Sequence, residues 1–212
     1  MPSSSRQIFN FNHIATQLRL IERFKGLQYW RHYPPQGRWE SVSDHSWRLS
    51  LLVMLFVDQL SQPFEPVKAY KMALIHDLPE ILHGDDSPMG ESGTGADSHA
   101  YNSKLWAERH HSEKSAAREI FSQLSSSQAT ELFDLWVELE QNHTFEARVV
   151  KSLDKIDAMT HVLEMQKGHM FPEHLEFTIK YGQRGADVDP AIADYADFVV
   201  VELQRRFKPF QP

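Results

Sequence analysis

The sequence predicts an all-α fold, one domain of six to eight helices. Three observations carry this. Apolar residues recur at helical spacing along most of the chain. There is no convincing run of alternating polar and apolar residues, and no Asn-Gly or Asp-Gly hairpin signal. The length, 212 residues, suits one domain at ~150 residues per domain and shows no linker or internal repeat.

The elements follow in order. Residues 10–24 read as an amphipathic helix with Ile14, Leu18 and Ile21 on one face. Residues 26–42 hold Pro34, Pro35 and Gly37 and read as a loop. Ser43 or Asp44 can cap a second helix that runs to about Leu60. Pro63 and Pro66 bracket the entry to a third, about Val67 to Leu82, which Gly84 ends. Asp85 to Ser103 is rich in glycine and small polar residues. It reads as a long flexible loop, of a length that is usually disordered or functional, for example as a lid. Helices resume over about 104–123, 127–142, 145–167 and 190–207.

Composition narrows the chemistry. Hydrophobic residues make up 41% and charged residues 24%, ordinary for a globular chain with a sizeable core. The absence of cysteine excludes disulfides, zinc-thiolate sites, iron–sulfur clusters and a cysteine nucleophile. A net charge of −7 is a poor start for binding a nucleic-acid polymer, which needs a basic face. A small phosphorylated ligand in a local basic pocket stays open. Twelve histidines is a large number, and histidine is the commonest metal ligand. The start, MPSSSRQIFNFN, lacks the pattern of a secretory signal. The longest apolar run, Leu51 to Val57, falls far short of the ~20 residues that span a bilayer. A soluble cytoplasmic protein with no membrane partner is the expectation.

Three helices carry polar residues on apolar faces. His45 begins a stripe continued by Leu49, Leu52 and Phe56. A satisfied core histidine is the bland explanation for it alone. On the third helix, His76 and Asp77 follow Ala69, Met72, Ala73 and Leu74, and Glu80 lies on the same side. Burying an isolated carboxylate is costly unless it is paired or binds a metal, and no lysine or arginine lies near on that face. Along 145–167, Asp154 interrupts a face marked by Ala147, Val150, Ala158 and Met165, with His161 beside it. Asp157 competes, but Thr160 and Glu164 beside it suggest a solvated position. His45, His76, Asp77 and Asp154 together suit one divalent first-row cation better than calcium. Four protein ligands leave two octahedral positions for water, whose pKa such an ion lowers. His83, His110 and His111 read as surface residues rather than a second metal site.

The order His, then His-Asp, then a distant Asp resembles the HD-domain phosphohydrolase superfamily. The text around it, ESVSDHSWRLSLL, ALIHDLPEILHGD and VVKSLDKIDAM, resembles the 5'-deoxynucleotidase branch and its eukaryotic HD-domain relatives over about Leu20 to Gln166. That resemblance implies metal-dependent hydrolysis of a small phosphomonoester, a (deoxy)nucleoside 5'-monophosphate. The cation implied is manganese, cobalt, iron, nickel, zinc or magnesium. It makes His45, His76, Asp77 and Asp154 the metal ligands and puts Glu80 near the attacking water. It also gives Asp85 to the sugar side of the pocket and Arg23 to the substrate phosphate. A homodimer follows by the same likeness. The chain departs from the pattern at Phe24, where tryptophan is common, and in apparently longer loops after Gly26 and Asp85. The alternatives are another phosphohydrolase or phosphodiesterase on the same fold, or a non-catalytic helical interaction module. Pro79 lacks a backbone donor and is expected to kink or restart the helix next to Glu80.

Overall fold

The structure, a computed structural model, describes residues 4–24, 38–166 and 169–209. Among them are eight helices of ten residues or more and one single-turn helix. These are α1 (Ser4–Ala15), α2 (Val42–Phe56), α3 (Pro66–Ile75), the short α4 (Glu80–His83), α5 (Ser103–Phe121), α6 (Ser126–Gln141), α7 (Phe145–Gln166), α8 (Pro172–Gly182) and α9 (Pro190–Arg206). Two two-residue strands, β1 (His169–Met170) and β2 (Lys208–Pro209), pair in parallel. No described helix is long and apolar enough to cross a membrane.

Helix α7 is the central element. Its Val150, Leu153 and Ile156 are fully buried against Leu49 and Val53 of α2, Met72 and Ala73 of α3, and Ile192 and Leu203 of α9. Truncating a residue such as Leu153 to alanine would cost about 2–5 kcal/mol in a core this closed. A second cluster joins Leu18, Val42, Ile75, Leu78, Phe121 and Trp136. The α2 start is fixed by a capping box, in which the Ser41 hydroxyl accepts from the Asp44 N–H and the Asp44 carboxylate accepts from the Ser41 N–H. The cap is therefore Ser41, just upstream of the expected pair.

Four departures from the expected elements have physical causes. The first helix lies earlier, at Ser4–Ala15, and tightens into a 3-10 turn over Thr16–Leu20. Residues beyond it are drawn into extended pairing with 40–42: Arg23 N–H donates to Glu40 O at 2.9 Å and Val42 N–H to Ile21 O at 2.9 Å. Arg23 thus sits on an extended segment, not at a helix end. The third helix stops at Ile75, because Pro79 cannot continue the ladder. Residues 76–82 use tighter bonds, Glu80 N–H to Asp77 O at 3.0 Å and Leu82 N–H to Pro79 O at 3.1 Å. The segment 85–103 is packed rather than loose. Met89, Ser98 and His99 are buried, and Gly95 (φ +75°) is so close to Phe177 that a Cβ would meet the ring at 2.4 Å. Helix α8 was not anticipated, although Pro172 at its first turn and Gly182 at its end are ordinary boundary signals. Most of the expected loop 26–42, residues 26–37, lies outside the described residues.

Candidate metal centre and its cavity

Two helices and the turn that follows a third bring four donor side chains together. His45 comes from the first turn of α2 and is 0% exposed. His76 and Asp77 come from the turn that Pro79 imposes after α3, and Asp154 comes from the middle of α7. His45 Nε2 lies 3.1 Å from His76 Nε2, 3.1 Å from Asp154 Oδ1 and 3.8 Å from Asp77 Oδ2. His76 Nε2 lies 3.0 Å from Asp77 Oδ2.

The far side of each ring decides what the near side can be. His76 Nδ1 donates to the carbonyl of Ala73 at 2.9 Å, and His45 Nδ1 donates to Asp157 Oδ2 at 2.7 Å. With Nδ1 the donor in both rings, the two Nε2 atoms face each other and two carboxylates. Acceptors at such separations repel unless a cation lies among them. Ligands on one ion at about 2.0–2.2 Å stand about 3 Å apart, as the His45–His76, His45–Asp154 and His76–Asp77 pairs do. His45, His76 and Asp154 can hold a divalent metal. Without one, a proton is the substitute. Burial and the Arg23 charge push the His45 imidazole down, but its hydrogen bonds to Asp154 and Asp157 outweigh them and raise it to about 9. Asp77 and Asp154 lose by burial but are held well below the usual carboxylate range by the two histidines.

Asp157 is a correction to the sequence reading. It is not solvated but 2% exposed. Its carboxylate accepts from His45 Nδ1, from Arg48 Nε at 2.9 Å and from Arg48 Nη2 at 2.7 Å. Arg48 also reaches Glu40, which takes Arg23 Nη1 at 2.9 Å and lies 3.1 Å from His161 Nδ1. A continuous chain of charges therefore links Arg23 to the ring of His45.

His76, Asp77 and Asp154 line a cavity of about 120 Å³ that also reaches Arg23, Glu80 and Asp85, with His45 buried behind them. Glu80 is 4% exposed, and its Oε2 is buried with no hydrogen-bond partner among the described residues. Burial, then Asp77 and Asp85, push this carboxyl well above its ordinary value. Asp85 is likewise raised by burial, and its Oδ2 accepts the Phe24 N–H at 3.1 Å. That bond holds Phe24 in a left-handed conformation (φ 60°) next to Arg23. All seven residues singled out in the sequence meet at or around this cavity. Sequence reasoning missed Arg109, Lys151 and Lys155, which supply the cations that the α3 face lacks. Lys151 was within reach, because it stands three residues before Asp154 and so shares its face of α7. Arg109 arrives from α5, and nothing local in the sequence marks it. Lys155 is half-buried. Burial pushes its ammonium down to about 8 against the pull of Asp154.

His83 and His111 are exposed, as expected, but His110 is half-buried. Its ring stacks between Trp106 and Trp136, at 5.1 and 6.0 Å. It also stands near Glu113 and Glu140, a second trio able to hold a metal. Both carboxylates of that trio already pair, Glu113 with Arg109 at 2.6 Å and Glu140 with Lys151.

Comparison with known proteins gives the family and the fold. The sequence model of the HD domain matches residues 17–195. The 5'-deoxynucleotidase HDDC2 of Xenopus laevis is 30% identical over 174 residues, covering 82% of this chain and 77% of that one. The protein of the same name from Dictyostelium discoideum is 36% identical over 146 residues, covering 66% and 69%. A crystal structure described as a "predicted metal-dependent phosphohydrolase" from Magnetospirillum magnetotacticum MS-1 superposes with a TM-score of 0.73 at 24% identity, over 98% of this chain and 100% of that one. The last likeness concerns the fold.

Proposed function

The chain belongs to the HD domain family, and from that premise we propose that it is a metal-dependent phosphohydrolase that splits nucleoside 5'-monophosphates, deoxynucleotides first, into nucleoside and phosphate. The observation that carries this is the meeting of two imidazole Nε2 atoms and two carboxylates beside a carboxyl, Glu80, whose Oε2 has no hydrogen-bond partner among the described residues. The names of the similar proteins support the substrate class. His45, His76, Asp77 and Asp154 would hold the divalent cation. When bound, such an ion polarises a phosphate oxygen and lowers the pKa of a coordinated water.

The chain's own groups do the rest. In hydrolysis the water oxygen joins phosphorus, the P–O5' bond breaks, and O5' leaves with a proton. Glu80 keeps its proton further toward neutral pH than an ordinary carboxyl does, which suits Oε2 to hand it to O5' and then to take back the proton that the attacking water gives up. Arg23 presents a planar guanidinium to the phosphate, held in place by Glu40. Asp85, anchored on the Phe24 N–H, faces the sugar. The partner is then a small nucleotide, not a polymer, and the compartment is the cytoplasm.

The test is phosphate release by purified, metal-loaded protein from a panel of ribo- and deoxynucleoside monophosphates. Turnover of several, with deoxynucleotides ahead, is expected. No release from any member would overturn the reading.

A further inference from the structure

Four cations line the metal cavity: Arg23, Arg109, Lys151 and Lys155. Three of them are matched by a carboxylate. Arg23 Nη1 donates to Glu40 at 2.9 Å, Arg109 Nη2 lies 2.6 Å from Glu113, and Lys151 pairs with Glu140. Lys155 is the exception among the described residues. Its Nζ donates to the backbone carbonyl of Lys151 at 3.1 Å and has no carboxylate at ion-pair distance. Its chain neighbour Asp154 is turned to His45 at 3.1 Å.

A half-buried ammonium with two free donors, in a cavity also walled by carboxylates, is an unfinished site. What it lacks is an anion, and the anion the cavity must admit carries oxygens around phosphorus. We infer that Lys155 binds the substrate's phosphate group, donating to a non-bridging oxygen from the α7 wall of the cavity. The nucleotide part of this statement rests on the function proposed above, whereas the anion site itself does not. Lys155 also borders a second cavity, of about 150 Å³, together with Arg148 and Asp187. Arg148 does not line the metal cavity, so it serves as the control.

The experiment is calorimetric titration of inorganic phosphate into the metal-loaded protein, with nucleotide kinetics alongside. Lys155→Met and Lys155→Gln should weaken phosphate binding about 10- to 100-fold, the size of a lost charge-assisted hydrogen bond. KM for the nucleotide should rise by a similar factor, and kcat should change less. Metal content should hold, and Tm without anion should stay level or rise, because a poorly solvated charge has been removed. Lys155→Arg should recover most of the binding, and Arg148→Met should bind phosphate as the wild type does. Unchanged phosphate binding in both neutral variants would overturn the inference. So would a fall in Tm or metal content that accounts for the loss, or a loss seen with Arg148→Met instead. If the wild type binds inorganic phosphate through Lys155 yet releases none from any nucleotide, the nucleotide reading fails and this one stands.

Discussion

His45 Nδ1 donates to Asp157 over 2.7 Å, and the same carboxylate takes two hydrogen bonds from Arg48. The bond fixes the plane of the ring and leaves Nε2 as the atom turned to the point where a cation is needed. Outer partners of this kind typically contribute 10- to 100-fold to metal affinity. Asp157→Asn should therefore weaken metal binding by about that factor, read by competition with a coloured chelator. Activity should return at high metal. Affinity equal to the wild type would leave Asp157 as packing alone.

Glu80 makes the opposite bargain, function against stability. Its folded pKa lies above the unfolded value, so the native chain binds more protons than the unfolded one between the two. That favourable term is complete below the unfolded value and is lost as pH rises through the folded one. Glu80→Gln removes the charge. The metal-free variant should melt higher than the wild type at pH 8, with the gap closing near pH 4. Its kcat should fall by ~100-fold or more with metal content intact. Parallel loss of metal and activity would make Glu80 a ligand.

Metal binding should depend on pH through His45. Its imidazole titrates at about 9 without metal, so below that pH the cation must displace a proton. Affinity should climb from pH 6.5 to about 9 and level off above. The stability that His45 lends the metal-free fold runs the other way. It is full below its ordinary pKa near 6.5 and lost as pH passes 9. A flat affinity profile across this range would remove His45 from the ligand set.

Arg23→Lys should raise KM for nucleoside monophosphates, because an ammonium cannot serve Glu40 and a phosphate with one planar fork. Asp85→Asn should change the ratio of kcat/KM for deoxy- over ribonucleotides more than it changes metal content. If both substrates slow equally, Asp85 only fastens the Phe24 turn.

Most helices, and the four polar residues that the fold brings together, were legible because helical spacing reports a face, and a polar residue on an apolar face stands out. His45 at the head of the Leu49, Leu52 and Phe56 stripe is the clearest case. Asp157 was misjudged because its chain neighbours Thr160 and Glu164 are polar, while the group that buries it, Arg48, comes from α2. Arg109 was invisible for the same reason. Its place in the cavity depends on how α5 packs, and no local pattern encodes that. The break at His76 to Pro79 was signalled by the proline itself, but its effect was not. It sets Glu80 at the start of a new turn, beside the donors rather than among them.

The most direct test of the account is phosphate release from deoxynucleoside monophosphates by protein stripped with a chelator and then titrated with a divalent cation, with Asp154→Asn beside the wild type. The account predicts that stripping abolishes release, that the cation restores it in the wild type, and that Asp154→Asn stays inactive at the metal concentration that saturates the wild type. Full release from stripped protein, or wild-type release by Asp154→Asn, would contradict it.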